Sequence, residues 1–159
     1  MHEFSRLPSE LLRSLGGEMF RRRRRVVLPL LTTDPDGFPR AALLTPGEVR
    51  AVSPTRMTVA VLSASRTAVN LIRRRQATLL FLQRNVAASI RLRAGRGRVS
   101  GHDPDRTLFP LAVFRVRLDQ AAANEGSVAM LGGPTFTGPA ADSLFSAELF
   151  AELSGAEEA

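Results

Sequence analysis

The chain of 159 residues contains no cysteine, no lysine, no tryptophan and no tyrosine. Without cysteine, disulfides, zinc–thiolate centres and cysteine nucleophiles are excluded. Nine phenylalanines are the only aromatic residues, so surfaces for stacking nucleic-acid bases are scarce. No stretch approaches the roughly 18 consecutive apolar residues of a membrane span. The first ten residues lack the basic-then-apolar order of a signal peptide. These absences favour a cytoplasmic protein with no membrane partner.

Side chains that commonly perform catalysis are also scarce. The only histidines are His2 and His102, so no histidine cluster can hold a metal ion. No nucleophile elbow, P-loop or dinucleotide-binding glycine motif is present. We therefore predict neither a catalytic side chain nor a metal site. Any redox chemistry would be supplied by a cofactor.

The formal net charge of +7 is unevenly distributed along the chain. Residues 1–139 carry all 22 arginines and 10 acidic residues, whereas residues 140–159 carry five acidic residues and no arginine. Such a distribution is compatible with a self-complementary dimer. The arginine run 21–25 is interpreted as a solvated linker that faces an anion or a partner. Nucleic-acid binding through residues 21–25 and 73–75 is kept as an alternative.

The pattern of apolar and polar residues predicts a mainly β (α+β) fold. The turn at residues 34–37 joins two apolar runs into a hairpin of residues 26–33 and 38–45. Alternating patterns predict further strands at 48–53, 56–63, 77–83, 87–99 and 111–120, with one helix at 65–75 inserted among them. Six or seven strands in hairpin order, without βαβ alternation, indicate a small antiparallel barrel or sandwich.

Both ends of the chain are expected to be helical within a single domain of residues 1–159. The segment SELLRSL predicts a short helix that ends near Gly16-Gly17, so residues 1–25 comprise a helix and a basic linker. Residues 126–139 are rich in glycine and proline and predict a loop. Residues 139–153 form an amphipathic pattern, so we expect an acidic helix and tail over residues 140–159.

The stretch SASRTAVNLIRRR, at residues 63–75, combines a helix N-cap with a basic first turn. Ser65 is a good N-cap residue, and the free N–H groups of a first helical turn form a ready anion site. A helix N-terminus prefers acidic neighbours, yet this turn contains Arg66 and Thr67 instead. The pattern indicates a phosphate held by backbone N–H groups, hydroxyls and an arginine. An ordinary cap with a solvated Arg66 is the alternative.

Three segments, in this order and spacing, resemble the FMN-binding split-barrel family related to pyridoxamine 5′-phosphate oxidase. TTDPDGFPRAALLT resembles the opening hairpin of that family. VAVLSASRTAVNLIRRRQATLLF resembles its strand–Ser-Arg-Lys–helix–strand block, and SIRLRAGRGRV is similar to the strand that follows. The resemblance covers about residues 26–120. It implies a split β-barrel, a homodimer with FMN between its subunits, and a flavin-dependent oxidoreductase that acts on an unidentified small molecule.

The resemblance also implies cofactor-binding residues. The strand from Arg40 to Thr45 would run beside the isoalloxazine ring, with the backbone of Leu43 and Leu44 at the polar edge of the ring. The phosphate would be held by Ser63, Ser65, Arg66 and Thr67, and Ser89 stands where the family often has a glutamine near the flavin.

This sequence departs from the family at several of those positions. Thr67 and Thr45 stand where the family has lysine, and the C-terminal tryptophan and arginine–histidine element of the true oxidases have no counterpart. We therefore do not expect pyridoxamine 5′-phosphate oxidase activity. A deazaflavin in place of FMN, and a cofactor-free binding or regulatory module on the same barrel, are kept as alternatives.

Overall fold

The computed structural model describes residues 1–120, 130–138 and 146–155, which form one antiparallel sheet with short helices. The strands within these ranges are β1 (His2–Phe4), β2 (Leu28–Thr33), β3 (Pro39–Leu44), β4 (Val49–Ser53), β5 (Arg56–Leu62), β6 (Gln76–Gln83), β7 (Val86–Ala94), β8 (Arg98–Val99) and β9 (Arg106–Gln120). The α-helices there are α1 (Ser9–Arg13), α2 (Met19–Arg22), α3 (Arg66–Arg74) and α4 (Ala147–Glu152).

The sheet runs in the order β3-β2-β6-β7-β9-β5-β4, and both β1 and β8 pair with β9. Each of these pairings is antiparallel, and the sheet curls into a half-barrel. The predicted mainly β split-barrel fold is therefore confirmed. The described residues contain nine strands rather than six or seven, because the short strands β1 and β8 were not predicted as separate elements.

The hairpin of β2 and β3 is formed as predicted. The backbone carbonyl of Asp34 accepts a hydrogen bond from the amide of Gly37 at 2.9 Å. The amide of Asp34 donates a hydrogen bond to the carbonyl of Phe38, also at 2.9 Å. Gly37 has φ +90°, a conformation that glycine adopts without a steric penalty. This turn fixes the register, so that Thr33 pairs with Pro39 and Leu28 with Leu44.

The prediction of one continuous strand at 87–99 is wrong in one respect. The chain leaves the sheet at residues 95–97, between β7 and β8. A Cβ on Gly97 would lie 2.7 Å from the ring of Phe109, and one on Gly95 would lie 3.0 Å from Pro110. The glycines therefore allow this segment to pass close to β9, where side chains would collide. Strand β9 also begins at Arg106, five residues before the predicted start at 111.

The N-terminal helix does not simply end at Gly16-Gly17. After α1 the chain forms a wide helical turn (Ser14–Glu18) in which Gly17 has φ +151°, and α2 then continues to Arg22. The first two arginines of the run 21–25 are thus helical rather than part of a linker. Leu7, Leu11, Leu15 and Met19 are buried in the core, and that packing holds the segment against the sheet.

Helix α4 confirms the described part of the predicted C-terminal helix, whereas residues 139–145 and 156–159 lie outside the described residues. Its N-cap Ser146 accepts a hydrogen bond from the amide of Leu149 at 3.1 Å. Phe150 stacks on Phe20 with ring centroids 4.3 Å apart, and the Arg50 guanidinium lies 4.5 Å above the Phe150 ring. None of the helices in the described residues is long and apolar enough to span a bilayer.

Glu152, the last residue of α4, forms hydrogen bonds with β8 and with the loop that follows β8. One carboxylate oxygen accepts hydrogen bonds from Arg98 Nη1 at 2.9 Å and from the amide of Gly101 at 2.8 Å. The other oxygen accepts from Ser100 Oγ at 2.6 Å. Burial raises the pKa of Glu152, but the bonds from Ser100, Gly101 and Arg98 together outweigh it and lower the pKa overall.

Replacing Glu152 by Gln is expected to reduce the free energy of unfolding at pH 7 by about 1–3 kcal/mol, because charge-assisted bonds are lost. A carboxylate with a lowered folded-state pKa stabilises the protein above its unfolded pKa, and this contribution disappears as pH falls through the folded value. The stability difference between wild type and variant should therefore shrink as the pH falls below about 4.5. Urea unfolding at several pH values measures it. Glu148→Gln, on the same helix, is the control, and an equal loss in both variants would contradict the assignment.

Candidate functional site

The site begins at the N-terminus of α3, where the sequence predicted an anion-binding turn. Ser65 has extended backbone angles, and its hydroxyl accepts a hydrogen bond from the amide of Ala68 at 3.1 Å, as an N-cap does. No acidic residue lies in the first turn of α3. The hydroxyl hydrogen of Ser65 can still be donated to a ligand, because capping uses the oxygen as acceptor.

An acidic residue from the β2–β3 turn lies close to this arginine-bearing helix start. Asp34 accepts hydrogen bonds from Arg40 Nε at 2.9 Å and from Asn70 Nδ2 at 2.8 Å. The Arg40 bond, then the Asn70 bond and, to a smaller extent, the charge of Arg66 lower the pKa of Asp34. Asp34 is thus distant from α3 in the chain but is hydrogen-bonded to that helix through Asn70.

A cavity of about 280 Å³, here called the α3 cavity, opens beside the N-terminus of α3. Strand β3, the end of β5 and the start of α3 form its walls together with Phe136. Its lining includes five of the nine predicted cofactor-binding residues, namely Leu43, Leu44, Thr45, Ser65 and Thr67. Three segments that are separated in sequence therefore meet at one concave surface.

The other four predicted residues lie elsewhere. Arg40 forms an ion pair with Asp34, and Arg66 is exposed and does not line the cavity. Ser63 is bonded through its hydroxyl to Thr107 on β9, at 2.7 Å. Ser89 lies in the middle of β7, opposite Leu80 of β6 and Arg117 of β9, on the sheet face away from the core.

Glu48 and Arg106 form a polar end of the α3 cavity that sequence reasoning did not identify. One oxygen of Glu48 accepts hydrogen bonds from the amide and the hydroxyl of Thr45, each at 3.0 Å, and the other accepts from Arg106 Nη1. Arg106 Nε also donates to Asp103 at 3.1 Å. The side chains of Glu48 and Arg106 are 10% and 18% exposed, so this ion pair is largely buried.

A local signal for half of this network is present in the sequence. The stretch Thr45-Pro-Gly-Glu48 has the Thr-x-x-Glu spacing in which a side-chain carboxylate returns to the threonine amide. The partner Arg106 is 58 residues further along the chain, so no local pattern predicts it. Thr45 stands where the resembling family has lysine, and here it is buried and bonded to Glu48.

Phe136 closes one side of the α3 cavity, and the segment that carries it is anchored by backbone hydrogen bonds. The amide of Phe136 donates to the carbonyl of Arg25 at 2.7 Å, and the amide of Val27 donates to the carbonyl of Pro134 at 3.0 Å. Val26 and Thr135 form an antiparallel bridge. The loop predicted at 126–139 is confirmed in its described part, residues 130–138, which form no strand beyond this bridge, and Phe136 contributes to the site.

Comparison with known proteins gives matches among solved structures. No family model matches the chain, and no curated protein matches it. HupZ from Group A Streptococcus has a TM-score of 0.57 at 13% identity, over 76% of this chain and 100% of that one. An FMN-binding protein from Syntrophomonas wolfei has a TM-score of 0.56 at 11% identity, over 71% and 88%.

A third structure, a pyridoxamine 5′-phosphate oxidase-like protein from Lactobacillus delbrueckii, has a TM-score of 0.54 at 15% identity, over 74% of this chain and 99% of that one. At such identities these similarities show a shared fold. The chain is thus a split-barrel protein, and the resemblance seen in the sequence is confirmed at the level of the fold.

Replacing Arg106 by Met is expected to reduce the free energy of unfolding by about 3–5 kcal/mol, because a buried carboxylate loses its partner. The control Arg115→Met removes an exposed ion pair to Glu3 and should cost less than about 1 kcal/mol. Urea unfolding of both variants gives the comparison. In the double variant Glu48→Gln and Arg106→Met, part of the stability should return, since no unpaired buried charge remains and an amide oxygen can still accept the hydrogen bonds of Thr45. Additive losses in the double variant would contradict the pairing.

Proposed function

We propose that the chain binds FMN in the α3 cavity and acts as a flavin-dependent oxidoreductase on a small-molecule substrate. The observation that carries the proposal is the convergence of β3, the end of β5 and the start of α3 on one cavity. These are the segments that the family resemblance assigns to the flavin. The shared fold with an FMN-binding protein supports the same assignment.

The residues that line the cavity suit the two chemically different parts of FMN. Leu43 and Leu62 are 59% and 53% exposed at its rim, and such apolar side chains gain from being covered by a flat apolar ring. At the α3 end, the remaining N–H groups of the first helical turn and the hydroxyls of Ser65 and Thr67 can donate to a phosphate. Arg66 adds a positive charge at this end.

The buried ion pair of Glu48 and Arg106 influences how the ligand is oriented. Because both oxygens of Glu48 already accept hydrogen bonds, this carboxylate is suited to a structural role. A phosphate beside it would be repelled, so we place the phosphate at α3 and the ring towards Thr45. Bound FMN supplies two-electron redox chemistry, while the chain binds and orients it. A deazaflavin would use the same walls.

We propose in addition that the protein is a homodimer in which a second copy completes the flavin site. At about 280 Å³, the α3 cavity is slightly smaller than ligand pockets usually are, since these span about 300–1,000 Å³. Ser89 lies outside the cavity of its own protomer, on the outer sheet face that also carries Arg91, Arg93 and Phe114. Ser89 can therefore approach a flavin only if this face covers the cavity of another copy.

Titration of the protein with FMN, followed by flavin fluorescence, tests the flavin proposal. We expect saturable binding of FMN and weaker binding of riboflavin, which lacks the phosphate. Arg66→Gln and Thr67→Val should each weaken FMN binding by about 10- to 100-fold, the equivalent of one charge-assisted hydrogen bond, with little effect on riboflavin. Arg73→Gln, at the far end of α3, is the matched control. A protein that binds neither FMN nor a deazaflavin would refute the proposal.

Sedimentation velocity tests the dimer. Phe114 is 45% exposed, and its ring lies 4.5 Å from the guanidinium of Arg93 and 5.6 Å from that of Arg115. Phe114→Arg should convert the dimer to a monomer and weaken FMN binding in parallel, because it adds a charge to the interface. Phe38→Arg, at an exposed turn, should leave the mass unchanged. A wild-type monomer that binds FMN fully would exclude the shared site.

A cofactor-free binding module is the second candidate, and one observation favours it. Thr45 and Thr67, which stand where the resembling family has lysine, are both buried, and the hydroxyl of Thr45 is hydrogen-bonded to Glu48. The FMN titration separates the two candidates directly.

Nucleic-acid binding through the two arginine groups, residues 21–25 and 73–75, is not favoured. Residues 21–25 precede β2, whereas Arg74 contacts the turn after β2. The two groups therefore lie at opposite ends of a six-residue strand, about 20 Å long.

A further inference from the structure

The outer face of the sheet carries arginines that the proposed phosphate site does not use. Arg91 and Arg93 of β7 are exposed on this face, and Arg91 lies directly opposite Arg115 of β9. Arg117 of β9 lies opposite Ser89. Like charges that face each other across two strands destabilise a sheet. An anion bound beside these strands reduces that repulsion.

A cavity of about 390 Å³, here called the outer-face cavity, crosses the sheet beside these arginines. Arg91, Arg93 and Phe114 line it from β7 and β9, whereas Leu31 and Pro39 line it from β2 and β3. The strand order β3-β2-β6-β7-β9 places these two groups at opposite ends of the cavity. One end is therefore basic and the other is apolar.

An irregularity in β9 positions Phe114 at the basic end. The register of β9 against β7 shifts after Arg91, so Phe114 has no partner on β7, as in a β-bulge. Bulges re-aim side chains and are common beside functional sites. The ring of Phe114 lies 4.5 Å from the guanidinium of Arg93. This contact orients the guanidinium while its N–H groups stay available to a ligand.

The two arginines of β7 have no anionic partner among the described residues. Neither Arg91 nor Arg93 forms an ion pair or a hydrogen bond within that part of the chain. None of the described carboxylates lines the outer-face cavity. Two guanidinium groups in one concavity focus positive potential at its basic end. One bound anion can therefore interact with both.

The described carboxylates on the surrounding strands and turns are Glu3, Asp34, Asp36 and Asp119. Glu3 pairs with Arg117 at 2.8 Å and with Arg115 at 3.7 Å. Asp34 accepts from Arg40 and Asn70, and Asp36 accepts from the amide of Phe38. Asp119 is four residues beyond Arg115, about 13 Å along β9. These carboxylates leave the charge of the β7 arginines available to a ligand.

We propose that the outer-face cavity binds a small organic carboxylate, with its charged head on Arg91 and Arg93 and its apolar body towards Leu31 and Pro39. The two arginines are two residues apart on one strand face, about 7 Å, so their long side chains can converge on one carboxylate. The cavity volume is within the usual range for small-molecule pockets, about 300–1,000 Å³.

Uncharged groups of β6 complete the basic end of the outer-face cavity. Thr78 pairs with Arg91 and Gln76 pairs with Arg93, and both line the cavity as further hydrogen-bond donors. Phosphate sites are commonly built from the free N–H groups of a helix N-terminus or a backbone nest. The outer-face cavity is lined by strand residues, so its donors are side chains. This donor set favours a carboxylate over a phosphate.

The carboxylate site deepens the proposed function by naming a class of substrate. In the proposed dimer, the outer face covers the flavin of a second copy, so a carboxylate in this cavity would lie close to that flavin. The assignment of the carboxylate as substrate therefore rests on the proposed function. Its binding to Arg91 and Arg93 does not.

Isothermal titration of the full chain with benzoate tests the site, and benzamide is the uncharged probe of the same shape. We expect saturable binding of benzoate in a 1:1 ratio and binding of benzamide that is at least tenfold weaker. Phenyl phosphate should bind no more tightly than benzoate. No saturable binding, equal affinity for benzoate and benzamide, or phenyl phosphate binding tenfold tighter than benzoate would overturn the proposal.

Variants locate the bound carboxylate. Arg91→Gln and Arg93→Gln should each weaken benzoate binding by about tenfold or more and leave benzamide binding unchanged. Arg73→Gln removes the same charge from α3, outside the cavity lining, and should change neither affinity. Equal weakening by all three variants would overturn the proposal. Arg91→Gln should not lower the melting temperature, because it removes a like-charge pair with Arg115.

A second titration tests the assignment as substrate. Benzoate is added to the protein saturated with FMN, and the visible absorbance of the flavin is recorded. We expect a spectral shift that saturates with benzoate and needs about tenfold more benzoate in Arg93→Gln. Benzoate bound without any spectral shift would overturn the assignment. FMN binding without benzoate binding would overturn the site and leave the proposed function standing. Benzoate binding without FMN binding would refute the proposed function and support the site alone.

Discussion

The pairing of strand β9 with both halves of the sheet is the constraint on which the rest of the structure depends. Residues 106–112 of β9 pair with β5, and residues 111–120 pair with β7, so this single strand joins the two halves. Its first residue, Arg106, is thereby placed opposite Leu62, at the end of β5 where α3 is about to begin. The register of β9 therefore brings Arg106 within hydrogen-bond distance of Glu48, and these two residues form the polar end of the α3 cavity.

The long β9 strand contains a proline, and the gap between β7 and β8 explains how it is tolerated. In an antiparallel strand the N–H and C=O of one residue point to the same side. The carbonyl of Pro110 accepts the amide of Gly95 at 2.8 Å, so the missing N–H of Pro110 also faces the region where β7 has ended. The lost donor therefore weakens the ladder at a point where pairing is already interrupted.

Much of the fold could be predicted because its signals are local. The turn at residues 34–37, the alternation in the strands and the N-cap Ser65 each depend on neighbouring residues, and the boundaries of β2 to β6 and α3 were predicted to within two residues. The start of β9 was missed because the adjacent Leu108 and Phe109 are both buried, so this part of the strand shows no alternation. Strand β1 was missed because three residues carry too little pattern.

The site was less predictable than the fold because its key contacts join distant segments. The carboxylate that accepts a hydrogen bond from Asn70 of α3 comes from Asp34, and the largely buried guanidinium that pairs with Glu48 comes from Arg106. Phe136 carries no local sign that it closes a cavity. What could be inferred was the convergence of β3 with the start of α3, since a family resemblance transfers contacts that a single sequence does not encode locally.

The bridge between Val26 and Thr135 has a consequence for the position of Phe136 in the α3 cavity. Next to the bridge, the carbonyl of Arg25 accepts a hydrogen bond from the amide of Phe136 at 2.7 Å. A shift of this pairing by one residue would turn the following side chain to the opposite face, because the side-chain period of paired extended residues is two. Phe136 would then leave the cavity that it lines. Insertion of one residue between Thr135 and Phe136 should therefore disturb the α3 cavity more than a substitution of the exposed Thr135.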